Sequence, residues 1–133
     1  MDRHARLAFL LLVLAQAAHS VEEYAFRLWE VLAPARFVSG LIGLDPATGF
    51  AIANAALVGF GLWCRAVPVR RGWPSARALA WAWATVEGAN GCGHVALAVA
   101  AGGYFPGLLT APLLLAAAAF LAWCLTRPRA MAR

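Results

Sequence analysis

Two short stretches carry the residues that could do chemistry: AHSVEEY at 18–24, with His19, Glu22 and Glu23, and TVEGANGCGH at 85–94, with Glu87, Asn90 and His94. Imidazole and carboxylate together suit zinc, iron or manganese. A carboxyl held in a dry pocket can also work as a general acid or base near neutral pH. On a helix, Glu22 and Glu23 lie about 60° and 40° to either side of His19, so one broad face shows both functional groups. Glu87, Asn90 and His94, spaced i, i+3, i+7, fall within about 60° of one another, and Gly91 on the same stripe leaves room beside them.

The elements that must position these groups are four apolar segments, at about 7–32, 48–67, 77–102 and 106–126. Each has the roughly 20 residues needed to cross ~30 Å of hydrocarbon. Between them stand Pro34, GLDPATG (43–49), VPVRRGWPS (67–75) and GGYFPG (102–107), all turn chemistry. The expected fold is an all-α membrane protein: one domain over 1–133, a four-helix up-down transmembrane bundle. His19 then lies ~18 Å above Leu7, while Glu87 and His94 lie ~13 and ~24 Å above Ala78 on a helix running the same way. The two polar stripes meet at overlapping depth.

Composition agrees. Of 133 residues 63% are hydrophobic and 13% charged, against roughly half and a quarter in soluble domains. Every one of the 11 cations is arginine, a pattern that with so much alanine fits a bacterial genome. Nine of them (Arg3, Arg6, Arg65, Arg70, Arg71, Arg77, Arg127, Arg129 and Arg133) fall on one side of the four spans. That bias places both termini in the cytoplasm of a multi-pass plasma-membrane protein. The same placement accounts for the net charge of +5 without nucleic acid. The opening MDRHARLAFLLLVLAQAAHS also has the form of a signal peptide with AQA as cleavage site, but cleavage would leave three spans, and the arginines favour four. Cys64, Cys92 and Cys124 are widely separated in apolar runs and read as small core residues. Gly88, Cys92 and Ala96 read as a smooth strip for helix packing, and Asn54 as a hydrogen-bonding residue inside the bundle.

His19-Ser20-Val21-Glu22-Glu23 matches the name-giving motif of the HXXEE-motif family of small integral membrane proteins, which the chain resembles. His94 resembles that family's additional histidine, and Tyr104-Phe105-Pro106-Gly107 its YXPG signature. The resemblance implies a membrane protein and supplies no reaction.

An ionised residue at mid-span costs ~2.5–3.5 kcal/mol, so the clustered acids must face inward and be satisfied there. The sharpest expectation is a metal centre of His19, Glu23, Glu87 and His94 holding zinc, or iron or manganese. Glu22 and Glu87 are the expected catalytic carboxylates, with Asn90 and Tyr104 as supporting residues around the ligands. The weakness is that Glu87 and His94 are two turns apart. The expected activity is that of a small membrane enzyme acting on an apolar or lipid-like molecule; the chain is embedded in lipid and could pair with a second copy. The alternatives are a proton- or ion-coupled transporter and an accessory subunit whose acids form an ion-pair lattice, Glu23 with Arg27 and Arg27 with Glu30.

Overall fold

A computed structural model describes residues 1–42 and 45–127, all helices and turns with no strand among them. Gly43 and Leu44 of the first connection, and Arg129 and Arg133 of the basic margin, lie outside the described residues. Helix α1 spans Arg3–Ala25, α2 Leu28–Val31, α3 Ala33–Leu41, α4 Pro46–Cys64, α5 Ala76–Ala101 and α6 Ala111–Thr126. Among the described residues two helices are long and apolar enough to cross a membrane: α1, and α4 continued through Val69; α6 is apolar but shorter.

The boundaries have local causes. The Asp2 carboxylate caps α1 by accepting from Ala5 N–H, and Asp45 caps α4 by accepting from Ala47 and Thr48 N–H, with Pro46 at the tolerant first position. Beyond α4 the helix widens into a π turn over Arg65–Val69, which accommodates Pro68, a residue without an N–H to give. Gly102 closes α5 in the left-handed conformation, φ +66°.

Three boundaries differ from expectation. The first helix ends at Ala25, seven residues before Leu32, because Arg27 takes a left-handed backbone, φ 57°, and turns the chain aside. The residues after Leu32, expected as a connection, form amphipathic α3, which folds back along α4; there the Ser39 carbonyl lies where a side chain on Gly49 would have to go. The last helix starts at Ala111 and not Pro106, because residues 105–110 coil round a carboxylate of α1.

Helix α6 packs along both α1 and α5, while α4 closes against α1. The half of the bundle nearest the termini is aliphatic and aromatic: Phe9 and Leu12 of α1, Cys64 of α4, Trp83 of α5, and Leu114, Leu121 and Leu125 of α6. Gly61 gives way to the Trp83 ring, and Gly91 to Leu115 of α6. Cys64 and Cys124 are buried as expected; Cys92 is exposed, so the strip expected at Gly88, Cys92 and Ala96 meets α6 only at Gly88, beside Ala118. The opposite half of the same helices is polar.

Candidate metal centre

The last two turns of α1 send four side chains inward: Gln16, His19, Ser20 and Glu23, with Glu22 alongside, all buried. His94, near the end of α5, comes in from the other side. Its Nε2 lies 3.0 Å from Glu23 Oε1, and His19 Nε2 lies 3.4 Å from the same oxygen. The imidazoles stand edge to face, ring centroids 4.6 Å apart and planes at 84°. His19, Glu23 and His94 thus offer three ligand atoms within 4.8 Å of one another.

Hydrogen bonding on the far side of each ring fixes which nitrogen carries its proton. His94 Nδ1 lies 2.6 Å from the Pro106 carbonyl oxygen, which can only accept, so Nδ1 donates. His19 Nδ1 lies 2.7 Å from Thr110 Oγ1, whose own hydrogen is given to Glu22 Oε2 at 2.5 Å; His19 Nδ1 is therefore a donor too. In the neutral rings both Nε2 atoms are then bare lone pairs, and both face a carboxylate oxygen. Among the described residues His19 Nε2 has no hydrogen-bond partner. Two imidazole nitrogens and a carboxylate oxygen thus converge.

That arrangement fits a cation. Two imidazole nitrogens and one carboxylate oxygen form the donor set of open zinc sites and of iron sites with two histidines and a carboxylate. A tetrahedral ion at ~2.0–2.1 Å from its ligands keeps them ~3.3 Å apart, close to the spacings found. The bonds from Nδ1 to a carbonyl and a hydroxyl are the outer contacts that orient metal-binding histidines. One proton, by contrast, could satisfy only one of the two imidazole–carboxylate contacts.

Glu22 does a different job from its neighbour. Its Oε1 accepts from Tyr104 O–H at 2.7 Å, Gly107 N–H at 3.1 Å and Leu109 N–H at 3.0 Å; its Oε2 accepts from Thr110 N–H at 2.7 Å and from the Thr110 hydroxyl. Five donors leave little lone-pair capacity for proton abstraction, and the carboxylate anchors the 104–110 turn to α1. Burial and the bond to Glu22 push the Tyr104 phenol up to about 12, so it remains a donor throughout the neutral range. Tyr104 therefore meets Glu22 and not the ligand oxygens. Gly107, at φ +95°, has no room for a Cβ, which would run into His94 Nδ1 and the edge of His19. The turn thus divides the work of holding the site. Tyr104 and the Gly107 amide hold Glu22, the Pro106 carbonyl holds His94, and the bare Cα of Gly107 lets both rings approach.

Glu87 stands apart from the three-ligand group. It is 1% exposed, two turns back from His94 on α5, and neither of its oxygens has a hydrogen-bond partner among the described residues. Its ~10 Å axial separation from His94 accounts for this, as the spacing threatened. Asn90 lines a cavity of about 340 Å3 beside Glu23 and His94. Most of the wall is apolar, from Leu28, Leu32, Val38, Phe50 and Leu57, with Gln16 and Asn54 at the polar end. The ion-pair lattice is half present: Arg27 pairs with Glu30 at 2.6 Å on the exposed surface, while Glu23 turns inward to the histidines.

Sequence reasoning passed over Thr110 and Gln16. Thr110 offers no signal beyond three residues' distance from Gly107. Gln16 does offer one, as the lone amide in LLVLAQAA. It donates Nε2–H to Ser20 Oγ at 3.1 Å; Ser20 donates to Asn54 Oδ1 at 2.6 Å, and Asn54 Nδ2 donates to the Phe50 carbonyl at 3.2 Å.

A family model described as a protein of unknown function with HXXEE motif matches residues 10–122, and the chain belongs to that family. The matched stretch contains His19 to Glu23, His94 and the 104–107 turn. No curated protein and no solved structure matches the chain.

Proposed function

We propose that this HXXEE-family chain is a four-span membrane protein, both termini cytoplasmic, that holds one divalent ion on His19, Glu23 and His94 and uses it on an apolar or lipid-like molecule. Two candidate spans and the basic margin support the membrane setting. The observation that carries the metal is the pair of Nε2 atoms facing one Glu23 oxygen, each ring engaged from behind through its Nδ1. A bound ion would supply Lewis-acid polarisation of a carbonyl or of water. Three protein ligands leave a coordination position free, and the cavity reaching Glu23 and His94 gives an apolar body a place to lie. Glu22 is the positioning residue of the site. Glu87, buried on the same face of α5 as His94 but two turns back and outside this cavity's lining, is too far from the ligand group to exchange a proton with a molecule bound there.

Elemental analysis of detergent-purified protein tests this reading. Wild type should carry close to one zinc, iron or manganese per chain. Glu23→Gln, His19→Ala and His94→Ala should each retain less than about one tenth of it. Equal content in all four, or none in wild type, discards the metal centre. A second reading, proton- or ion-coupled transport, draws on one observation, the unpartnered Glu87 carboxyl in the middle of a helix. Proton flux in vesicles that is lost in Glu87→Gln while metal content stays constant would favour it.

A further inference from the structure

The hydrogen-bond chain from α4 to α1 has a direction, and its direction leaves one atom unused. The Phe50 carbonyl can only accept, so Asn54 turns its amide nitrogen to it and offers Oδ1 to Ser20. The Ser20 hydrogen is spent on Asn54, so Ser20 Oγ accepts from Gln16 Nε2. Gln16 is therefore held with its carbonyl oxygen as the free end. That oxygen is buried and has no donor among the described residues. Gln16 is 1% exposed and lines the same cavity as Glu23 and His94. A buried acceptor left unmade costs ~1–3 kcal/mol, and a chain of three residues on two helices keeps it from turning to a better partner.

We infer that Gln16 is a specificity residue: the cavity takes an amphiphile with an apolar body and a polar end that donates an O–H or N–H hydrogen bond to Gln16 Oε1. The substrate class follows from the lining. Leu28, Leu32, Phe50 and Leu57 suit an alkyl or ring body, and Gln16 Oε1 calls for a donor. A volume of about 340 Å3 sits at the small end of ligand cavities, roughly 300–1,000 Å3, which limits the ligand to one modest chain or ring system. The inference rests on the proposed metal centre only in taking this cavity as the substrate's.

Octanol and methyl octyl ether share the octyl body and the oxygen; the ether exchanges the donor hydrogen for a methyl group, and the comparison with Gln16→Met removes the contribution of that methyl. Binding of each to the full chain in lipid nanodiscs, followed by the unfolding midpoint and expressed per mole fraction in the bilayer, gives the ratio that matters. Octanol should bind about tenfold more tightly to wild type, the worth of one hydrogen bond to a buried acceptor. In Gln16→Met the ratio should fall to about one. Asn54→Ala frees Ser20, lets the Gln16 amide turn and should also lower the ratio, so the test survives if Gln16→Met does not fold. Equal binding of both compounds by wild type overturns the inference, as does an unchanged ratio in either folded variant. The same measurement on chelator-treated protein separates the two readings. A ratio kept without metal belongs to Gln16. A ratio lost with the metal shows the alcohol bound to the ion, which overturns the role of Gln16 and leaves the metal centre standing. A wild type without metal but with the ratio intact does the reverse.

Discussion

The same helices build two halves by different physics. Near the termini, Phe9, Leu12, Trp83, Leu121 and Leu125 interdigitate, a core of hydrocarbon and rings. At the other end, His19, Glu22 and His94 are held by directional bonds to a single turn, residues 104–110. An aliphatic core tolerates exchange of shape for similar shape. A polar one depends on each partner, because every lost donor or acceptor is left stranded in a medium that cannot replace it.

Removing the anchor should break that contrast most. Glu22→Ala strands the amides of Gly107, Leu109 and Thr110 and frees Thr110 from His19; it should cost about 3–5 kcal/mol in equilibrium unfolding and lower metal content as well. Gly107→Ala should follow at about 2–4 kcal/mol, since it combines a left-handed backbone with a Cβ pushed into both imidazoles. In the aliphatic half, Leu12→Ala or Leu121→Ala should cost about 2 kcal/mol, the low end for such truncations, as the proposed membrane setting requires if lipid also shelters the unfolded side chain, and should leave metal content at the wild-type level. A drop in metal with either would show that the halves are coupled through α1 or α6.

The smallest effect belongs to the helix cap outside both halves. Bonds from Thr48, side chain and amide, and from the Ala47 amide hold the Asp45 carboxyl below its ordinary value of 3.8. A depressed folded value means the cap stabilises fully above the ordinary value and fades as pH falls through the folded one. Acid titration of thermal stability should therefore show a slight acid-side loss in wild type that Asp45→Ala lacks.

How legible this was depends on whether the signal was local. His19 and Glu23 are one turn apart, and that spacing alone announces a shared face. His94 joins them because α1 and α5 run parallel, which follows from the order of the long helices. Glu87 belongs by type, but two turns of rise keep it from the ligand group. Glu22 and Glu23 are adjacent and chemically identical; only the 104–110 turn, folded from 82 residues further on, makes one an anchor and leaves the other facing the histidines. Helix α3 was visible in the apolar spacing of Phe37, Val38 and Leu41, but Pro34 made the stretch look like a connection.

The Thr110 hydroxyl touches Glu22 and His19 at once, and it lies late in the chain. In chain order the His19 imidazole therefore precedes by two long helices, α4 and α5, the residue that aims it. A chain stopped before residue 104 would carry His19, Glu23 and His94 without the turn that orients them, so on the proposed reading capacity for an ion marks a molecule whose assembly is complete.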